Sequence, residues 1–195
     1  MTQTITIDWT AELADQVDWH WENLFRPRLE GLTDAEYFWE PVPGCWSVRS
    51  AAEADPALAH GSGPFLIEYS WPEPSPPPVT TIAWRLGHVI TGCLGARSAS
   101  HFAAPPVDAR SYEYAGTAAG AIEQLDGVYA SWITGVRGLD ADGLARPCGP
   151  AEGPYADYPL AALILHINRE VIHHGAEVAL LRDLYRARGG DSRAL

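Results

Sequence analysis

The sequence predicts an all-α protein, an antiparallel four-helix bundle with a small irregular or hairpin insertion between its first and second helices. Four long segments repeat apolar residues every three or four positions, as helices that pack on one another do. The connections between these segments are moderate in length. Of the 195 residues, 47% are hydrophobic, which is enough for a substantial core. We therefore expect one domain over residues 1–195, with the insertion at about 40–79 and a frayed tail at 189–195.

The first helix is expected to start at Asp8, which is an N-cap residue, and to end near residues 26–29, where Pro27 would kink or stop it. A short helix should follow in TDAEYFW, because Thr33 and Glu36 have capping-box spacing. The apolar face of the first helix is predicted to comprise Trp9, Leu13, Val17, Trp21 or His20, and Leu24 or Phe25.

Residues 47–78 lack a helical period. Val48 and the run FLIEYSW are interpreted as a hairpin or as extended strands with AHGSG as a turn, and WPEPSPPP as a stiff connector. Three further long helices are predicted, from Thr80 or Thr81 to about Phe102, from about Thr117 to Gly138, and from about Pro159 to Arg188.

The net charge of −12 argues against nucleic acid and anionic membranes as partners. The amino terminus has no basic segment followed by an apolar run, and no stretch reaches the length of a membrane span, so a cytoplasmic protein is expected. Cys45, Cys93 and Cys148 are widely spaced and odd in number. They predict small buried residues rather than a disulfide framework or a thiolate zinc site.

The last helix carries the clearest chemical signal. Seven positions of its core-facing stripe are apolar or aromatic, and the eighth is His174, with Glu170 one turn before it. A buried pair of this kind is either a hydrogen-bonded polar contact or half of a metal site. The stripe consists of Leu160, Ile164, Ile167, Val171, His174, Val178, Leu181 and Tyr185.

His88, beside the core stripe of the second helix, would complete a set of two nitrogens and one oxygen. Three protein ligands leave a position open, as a catalytic metal site requires. Zinc suits these ligands best, although nickel, iron or manganese could use them.

The other histidines are ranked below this set. His20 is the rival ligand but fits an aromatic packing position better, His60 is expected in solvent, and His101 at a helix C-terminus. His173 points about a third of a turn away from His174 and is expected behind the ligands or at an interface. His166 lies two turns before His174, too far for the same ion.

At these residues the chain resembles the DinB-like superfamily of four-helix bundles with a metal site at one end. The resemblance covers LADQVDWHWENLFRPRL, LTDAEYFWEPVPGCWSV, TIAWRLGHVI and HINREVIHHGAEVALLRDLY. The family pattern implies His88 and His174 as ligands. Glu170 stands where many members have a further histidine, which resembles the His, Glu, His set of the mycothiol-dependent maleylpyruvate isomerase branch.

The resemblance implies a metal-dependent enzyme, and we expect a thiol S-transferase that presents a mycothiol-type thiol to small electrophiles through a metal-bound thiolate. The alternatives are a hydrolase of a small ester or amide and a non-catalytic, stress-related scaffold.

Trp84 and Arg85 are candidates for shaping the pocket or holding an anionic substrate. Glu177 and Arg169 either orient ligands or are ordinary surface charges. Bundles of this kind often self-associate, so a homodimer is included among the expectations, while no catalytic side chain is identified.

Overall fold

The computed structural model describes residues 6–189, which are mostly helical with one small three-stranded sheet. π-Helical segments at Trp21–Phe25 and Val89–Gly95 join α1 to α2 and α4 to α5, and a 3-10 helix, Pro150–Tyr155, precedes α8. The frayed tail is predicted at residues 189–195, and all of it after Gly189 lies outside the described residues. The helices are α1 (Trp9–His20), α2 (Arg26–Arg28), α3 (Asp34–Tyr37), α4 (Ile82–His88), α5 (Ala96–Phe102), α6 (Ala118–Arg137), α7 (Ala141–Ala145) and α8 (Leu160–Ala187).

Four long helical segments surround one hydrophobic core. α1 and the α4–α5 segment each contact both α6 and α8. Within residues 6–189, no helix combines the length and the apolar content needed to cross a membrane. Side chains that are almost fully buried between the segments include Phe25, Leu86, Leu125, Trp132 and Ile164.

The predicted helix starts are confirmed because short polar side chains satisfy the first free backbone donors. Asp8 accepts a hydrogen bond from the Ala11 amide at 3.1 Å, and Thr33 and Glu36 form the predicted capping box. Thr81 and Thr117 cap α4 and α6 in the same way. Pro159, near which the last helix is predicted to start, is the N-cap residue of α8.

The predicted inner face of the first helix is wrong at one position, Trp9, and of the alternatives Leu24 and Phe25 it is Phe25 that is buried. Trp9 is exposed because the first turn of α1 borders an open groove toward α7, and Leu24 is exposed because the π-helical turn directs Phe25 to the core instead. His20 and Trp21, given as alternatives, are both buried.

The insertion contains β1 (Val48–Ser50), β2 (Ala59–His60) and β3 (Phe65–Glu68), antiparallel in the order β1-β3-β2. The predicted hairpin is therefore confirmed in part, as FLIE is a strand and the rest of FLIEYSW is not. His60 is not in solvent: it is half-buried and stacks on Tyr69 with ring centroids 3.9 Å apart. The Trp46 carbonyl accepts a hydrogen bond from the Thr81 amide, which anchors the insertion to the start of α4.

A buried ion pair joins α3 to α8. Arg182 donates two hydrogen bonds to the Glu36 carboxylate, at 3.1 and 3.2 Å, and others to the carbonyls of Arg28 and Glu30. Burial acts to raise the pKa of Glu36, but the hydrogen bonds and charge of Arg182 outweigh it and hold the pKa below its ordinary value of 4.5. This pair therefore stabilises the fold at neutral pH.

We expect Arg182→Ala to lower the free energy of unfolding by roughly 3 kcal/mol at neutral pH, because the buried Glu36 carboxylate then keeps only the half-exposed Arg186 and Thr33 as partners. Glu36 contributes fully above its ordinary pKa, and the contribution is lost as the pH falls through the lower folded value. The difference between parent and variant should therefore narrow below about pH 4.5, as measured by denaturant unfolding at several pH values.

Arg26→Ala is the control, since the Arg26–Asp126 pair is one-third to two-fifths exposed. Its cost should be about 0–1 kcal/mol. Equal costs for the two substitutions would contradict the assignment of Arg182.

Candidate metal centre

Four potential ligands converge between the α4–α5 segment and α8. His88 is the last residue of α4 and Cys93 lies in the following π-helical segment, while Glu170 and His174 lie one turn apart on α8. One nitrogen, sulfur or oxygen atom of each lies within 4.8 Å of those of all the others. The structure thus brings His88, Glu170 and His174 together, as predicted, and adds Cys93.

His174 is held between two carboxylates of its own helix. Its Nε2 lies 3.3 Å from Glu170 Oε2 and its Nδ1 lies 2.7 Å from Glu177 Oε2. Glu177 is therefore not an ordinary surface charge, because it fixes the orientation of the imidazole. A metal-binding histidine commonly donates its second N–H to a carboxylate in this way.

Arg85 completes this arrangement from α4. Its Nε forms a salt bridge with Glu177 at 3.1 Å, and its guanidinium lies 5.3 Å from the centroid of the Trp84 ring. Arg85 Nη1 is also 3.5 Å from His174 Nδ1. His174 Nδ1 cannot form hydrogen bonds with both Arg85 and Glu177 at once. It would have to accept a hydrogen bond from the guanidinium, which only donates, and donate one to the carboxylate, which only accepts. The shorter Glu177 contact defines the hydrogen bond, so His174 Nδ1 carries the proton.

His88 is packed against aromatic rings. It stacks on Trp84 with centroids 5.2 Å apart and meets His174 edge-on at 4.9 Å. Burial, and then the neighbouring charges of His174 and Arg85, lower the pKa of His88 to about 4. Its ring is therefore neutral at neutral pH, as a metal ligand must be.

Trp84 owes its position to the insertion. Its indole Nε1 donates to the Glu68 carbonyl at 2.7 Å, at the end of β3. The small sheet thus orients the ring on which His88 stacks.

Cys93 is the ligand candidate that sequence analysis missed. It is buried as expected, but burial and the charge of Glu170 raise the pKa of its thiol to about 12. The missed signal is its spacing of five residues from His88, because a π-helical turn places residues five apart above one another. Nothing in the apolar pattern distinguishes such a turn from an α-helical one.

Two glycines permit this local geometry. A Cβ on Gly95 would lie 2.5 Å from the Ile90 carbonyl oxygen, and a Cβ on Gly92 would lie 3.2 Å from the His88 ring. The first distance is too short for any side chain, so the widened turn requires glycine at 95.

The remaining histidines lie outside the four-residue cluster. His173 is exposed and bonds Glu177 Oε1 at 3.2 Å, on the outer side of α8, and His166 Nδ1 is 3.7 Å from Glu170. His20, the rival ligand, is buried with its Nε2 unpartnered among the described residues. His101 does not serve the helix end as expected: its buried Nε2 lies 3.0 Å from Glu152.

These features define a helical protein with a partly buried His, Cys and Glu cluster between helices. The family model of the DinB superfamily matches residues 65–178, which is more than half of the chain and includes all four candidate ligands. The chain therefore belongs to the DinB superfamily. No curated protein and no solved structure matches it.

We expect the His88 ring in metal-free protein to titrate with a midpoint near 4 instead of its ordinary 6.5, because it is buried beside other cationic groups. NMR of the His88 ring protons against pH measures this, with His88→Ala identifying the signal. A midpoint near 6.5 would show that the ring is solvated and not packed on Trp84.

Proposed function

We propose that this protein is a metal-dependent thiol S-transferase that joins a mycothiol-type thiol to small electrophiles, with a divalent metal, zinc in the first instance, held by His88, Glu170 and His174. One observation carries the proposal: the ligand atoms of these residues lie within 4.8 Å of one another on facing helices of a DinB-superfamily chain. An antiparallel four-helix bundle is part of the proposal. The antiparallel direction is supported by two contacts between the α4–α5 segment and α8. His88 lies beside His174, and Cys93, which is later in its segment, lies beside Glu170, which is earlier in α8.

The donors suit a divalent metal. In a tetrahedral site, bonds of about 2.0–2.1 Å place two nitrogen or oxygen ligand atoms roughly 3.3–3.5 Å apart. The ligand atoms here lie within 4.8 Å of one another, so metal binding would draw them together by up to roughly 1.5 Å. Two imidazoles and a carboxylate fit zinc, and they are also acceptable to nickel, iron and manganese.

Cys93 decides whether such a site is open or closed. With Cys93 as a fourth ligand the tetrahedron would be complete, as in structural zinc sites. We assign three ligands, His88, Glu170 and His174, which is the set that the resemblance to the family implies. A free position then remains for a substrate thiol.

When bound, the metal supplies a Lewis acid that lowers the pKa of a thiol or of water. The protein supplies the orientation. Glu177 fixes the tautomer of His174, Arg85 holds Glu177, and Trp84 forms an aromatic wall beside His88. Arg85 also places a positive charge at this wall that suits an anionic group of a substrate.

Hydrolysis of a small ester or amide is less well supported, because it needs a general base. Glu177 is the nearest carboxylate outside the ligand set. Burial raises the pKa of Glu177, but the His174 hydrogen bond and the charge of Arg85 more than offset this and lower it. Such a carboxylate is a weak base. A non-catalytic scaffold role is the third proposal, and the metal and turnover measurements below distinguish it from the transferase. A homodimer is a separate proposal about the oligomeric state.

The function is tested by metal content and then by turnover. We expect about one metal per chain in protein purified without added metal or chelator, and loss of it in His88→Ala, Glu170→Gln and His174→Ala, because each removes a ligand. The metal-loaded parent should consume a low-molecular-weight thiol in the presence of a small electrophile, and the three variants should not.

His60→Ala is the control for metal content, since it removes a histidine from β2, outside the cluster. Retained metal in Cys93→Ser would agree with three ligands. A parent that stays empty when offered zinc, nickel and manganese would make the α8 pair a structural contact and leave the scaffold role. A loaded parent that consumes esters but no thiol would favour the hydrolase.

We further expect Glu177→Gln to weaken metal affinity by roughly 10–100-fold, because it replaces the carboxylate that orients His174. Competition with a chromophoric chelator measures the affinity. Glu123→Gln is the matched control, as it makes the same substitution at an exposed position of α6, outside the cluster. Equal effects of the two substitutions would mean that only net charge matters.

A further inference from the structure

A cavity of about 670 Å³ lies next to the metal centre, between α5, the 148–158 segment and the first half of α8. Pockets of this volume suit small organic ligands. Its lining is of two kinds, the cationic side chains of Arg97 and Arg169, and an apolar and aromatic set that includes Leu163, Tyr155 and Tyr158.

The cavity continues the line of the candidate ligands. His166, Glu170 and His174 are spaced four apart on α8, so they share one face of the helix. His166 Nδ1 lies 3.7 Å from Glu170 Oε1. On the facing segment, Arg97 follows Cys93 by four residues and donates to the Gly92 carbonyl. The cavity thus begins about one helical turn, roughly 5 Å, from the cluster.

The cationic lining is unusual in a chain of net charge −12. The one carboxylate in the cavity, Glu152, is engaged by His101 at 3.0 Å and by Arg97 at 3.4 Å. Arg169 contacts His166 Nδ1 at 3.1 Å and forms no salt bridge within residues 6–189. Arg97 Nε is buried without a hydrogen-bond partner among the same residues. The cavity lining therefore carries more positive charge than Glu152 neutralises, and Arg169 is the arginine without a carboxylate partner among the described residues.

The apolar and aromatic lining residues suit a flat apolar body. Tyr155 and Tyr158 are 63% and 55% exposed and meet edge-to-face with centroids 5.7 Å apart. Aromatic groups exposed at the rim of a cavity provide contact area for another ring. Leu163 and Cys148 supply buried apolar surface.

We propose that this cavity binds the electrophilic substrate as an organic anion, with its carboxylate on Arg169 and Arg97 and a flat apolar body against Tyr155 and Tyr158. Its reactive end then extends along α8 toward Glu170. The binding of the anion follows from the cavity alone, whereas its role as a substrate rests on the proposed transferase function.

Benzoate is the probe, with benzamide as its neutral counterpart. Binding is measured by titration calorimetry on the full chain, both as purified and after dialysis against chelator, because a carboxylate could also ligate a metal. We expect saturable benzoate binding in both states, benzamide at least 10-fold weaker, and nuclear Overhauser effects from benzoate to the Tyr155 and Tyr158 rings. Arg169→Gln should weaken benzoate roughly 10-fold or more, because it removes a charge-assisted contact.

Arg110→Gln is the matched control, because it removes the same charge from an exposed position outside the cavity and should leave benzoate binding unchanged. Absence of saturable binding, or equal affinity in Arg169→Gln and the parent, would overturn the cavity assignment without touching the metal centre. If benzoate binding depends on Arg169 in a chain that takes up no metal, the cavity assignment holds and the transferase proposal fails.

Discussion

The placement of a buried imidazole between two carboxylates of the same helix is the constraint on which the candidate site depends. His174 occupies a position in the apolar stripe of α8, where a polar ring is costly unless both nitrogens have partners. Nδ1 donates to Glu177, and Nε2 lies 3.3 Å from Glu170, where a metal would join the two. Two carboxylates near one imidazole in turn favour cationic neighbours, and Arg85 from α4 provides one. The packing of α4 on α8 therefore includes an ion pair as well as apolar contacts.

α8 carries two further buried polar residues, and each forms hydrogen bonds with a different element. Asn168 donates to the Leu13 carbonyl of α1 at 2.8 Å, and Arg182 pairs with Glu36 of α3. With His174 facing α4, these contacts relate α8 to three separate parts of the chain. A shift of α8 by one residue would break all three and bury unpaired groups, which is strongly unfavourable. The apolar surfaces supply much of the stabilisation, and the polar contacts select one register.

The insertion contributes to the site through one hydrogen bond. Glu68 at the end of β3 presents its carbonyl to the Trp84 indole, and Trp84 in turn stacks on His88. The sheet itself is held to α4 by Trp46 and by the Ser47–Thr81 hydroxyl contact at 2.9 Å. A segment with no helical period thus orients a residue of the helical core.

Features that depend on residues close in sequence were predictable, because a helix places positions four apart side by side whatever surrounds it. The caps at Asp8, Thr33, Thr81 and Thr117 and the Glu170–His174 pair are of this kind, and family resemblance added His88. Other features depend on contacts between distant segments or on a change of helical type. Cys93 reaches the cluster through a π-helical turn that its apolar pattern does not reveal. The pairing of Glu177 with Arg85, the contact of His101 with Glu152 and the cavity beside Arg169 exist only when α4, α5, α8 and the 148–158 segment pack together, so only the tertiary structure decided them.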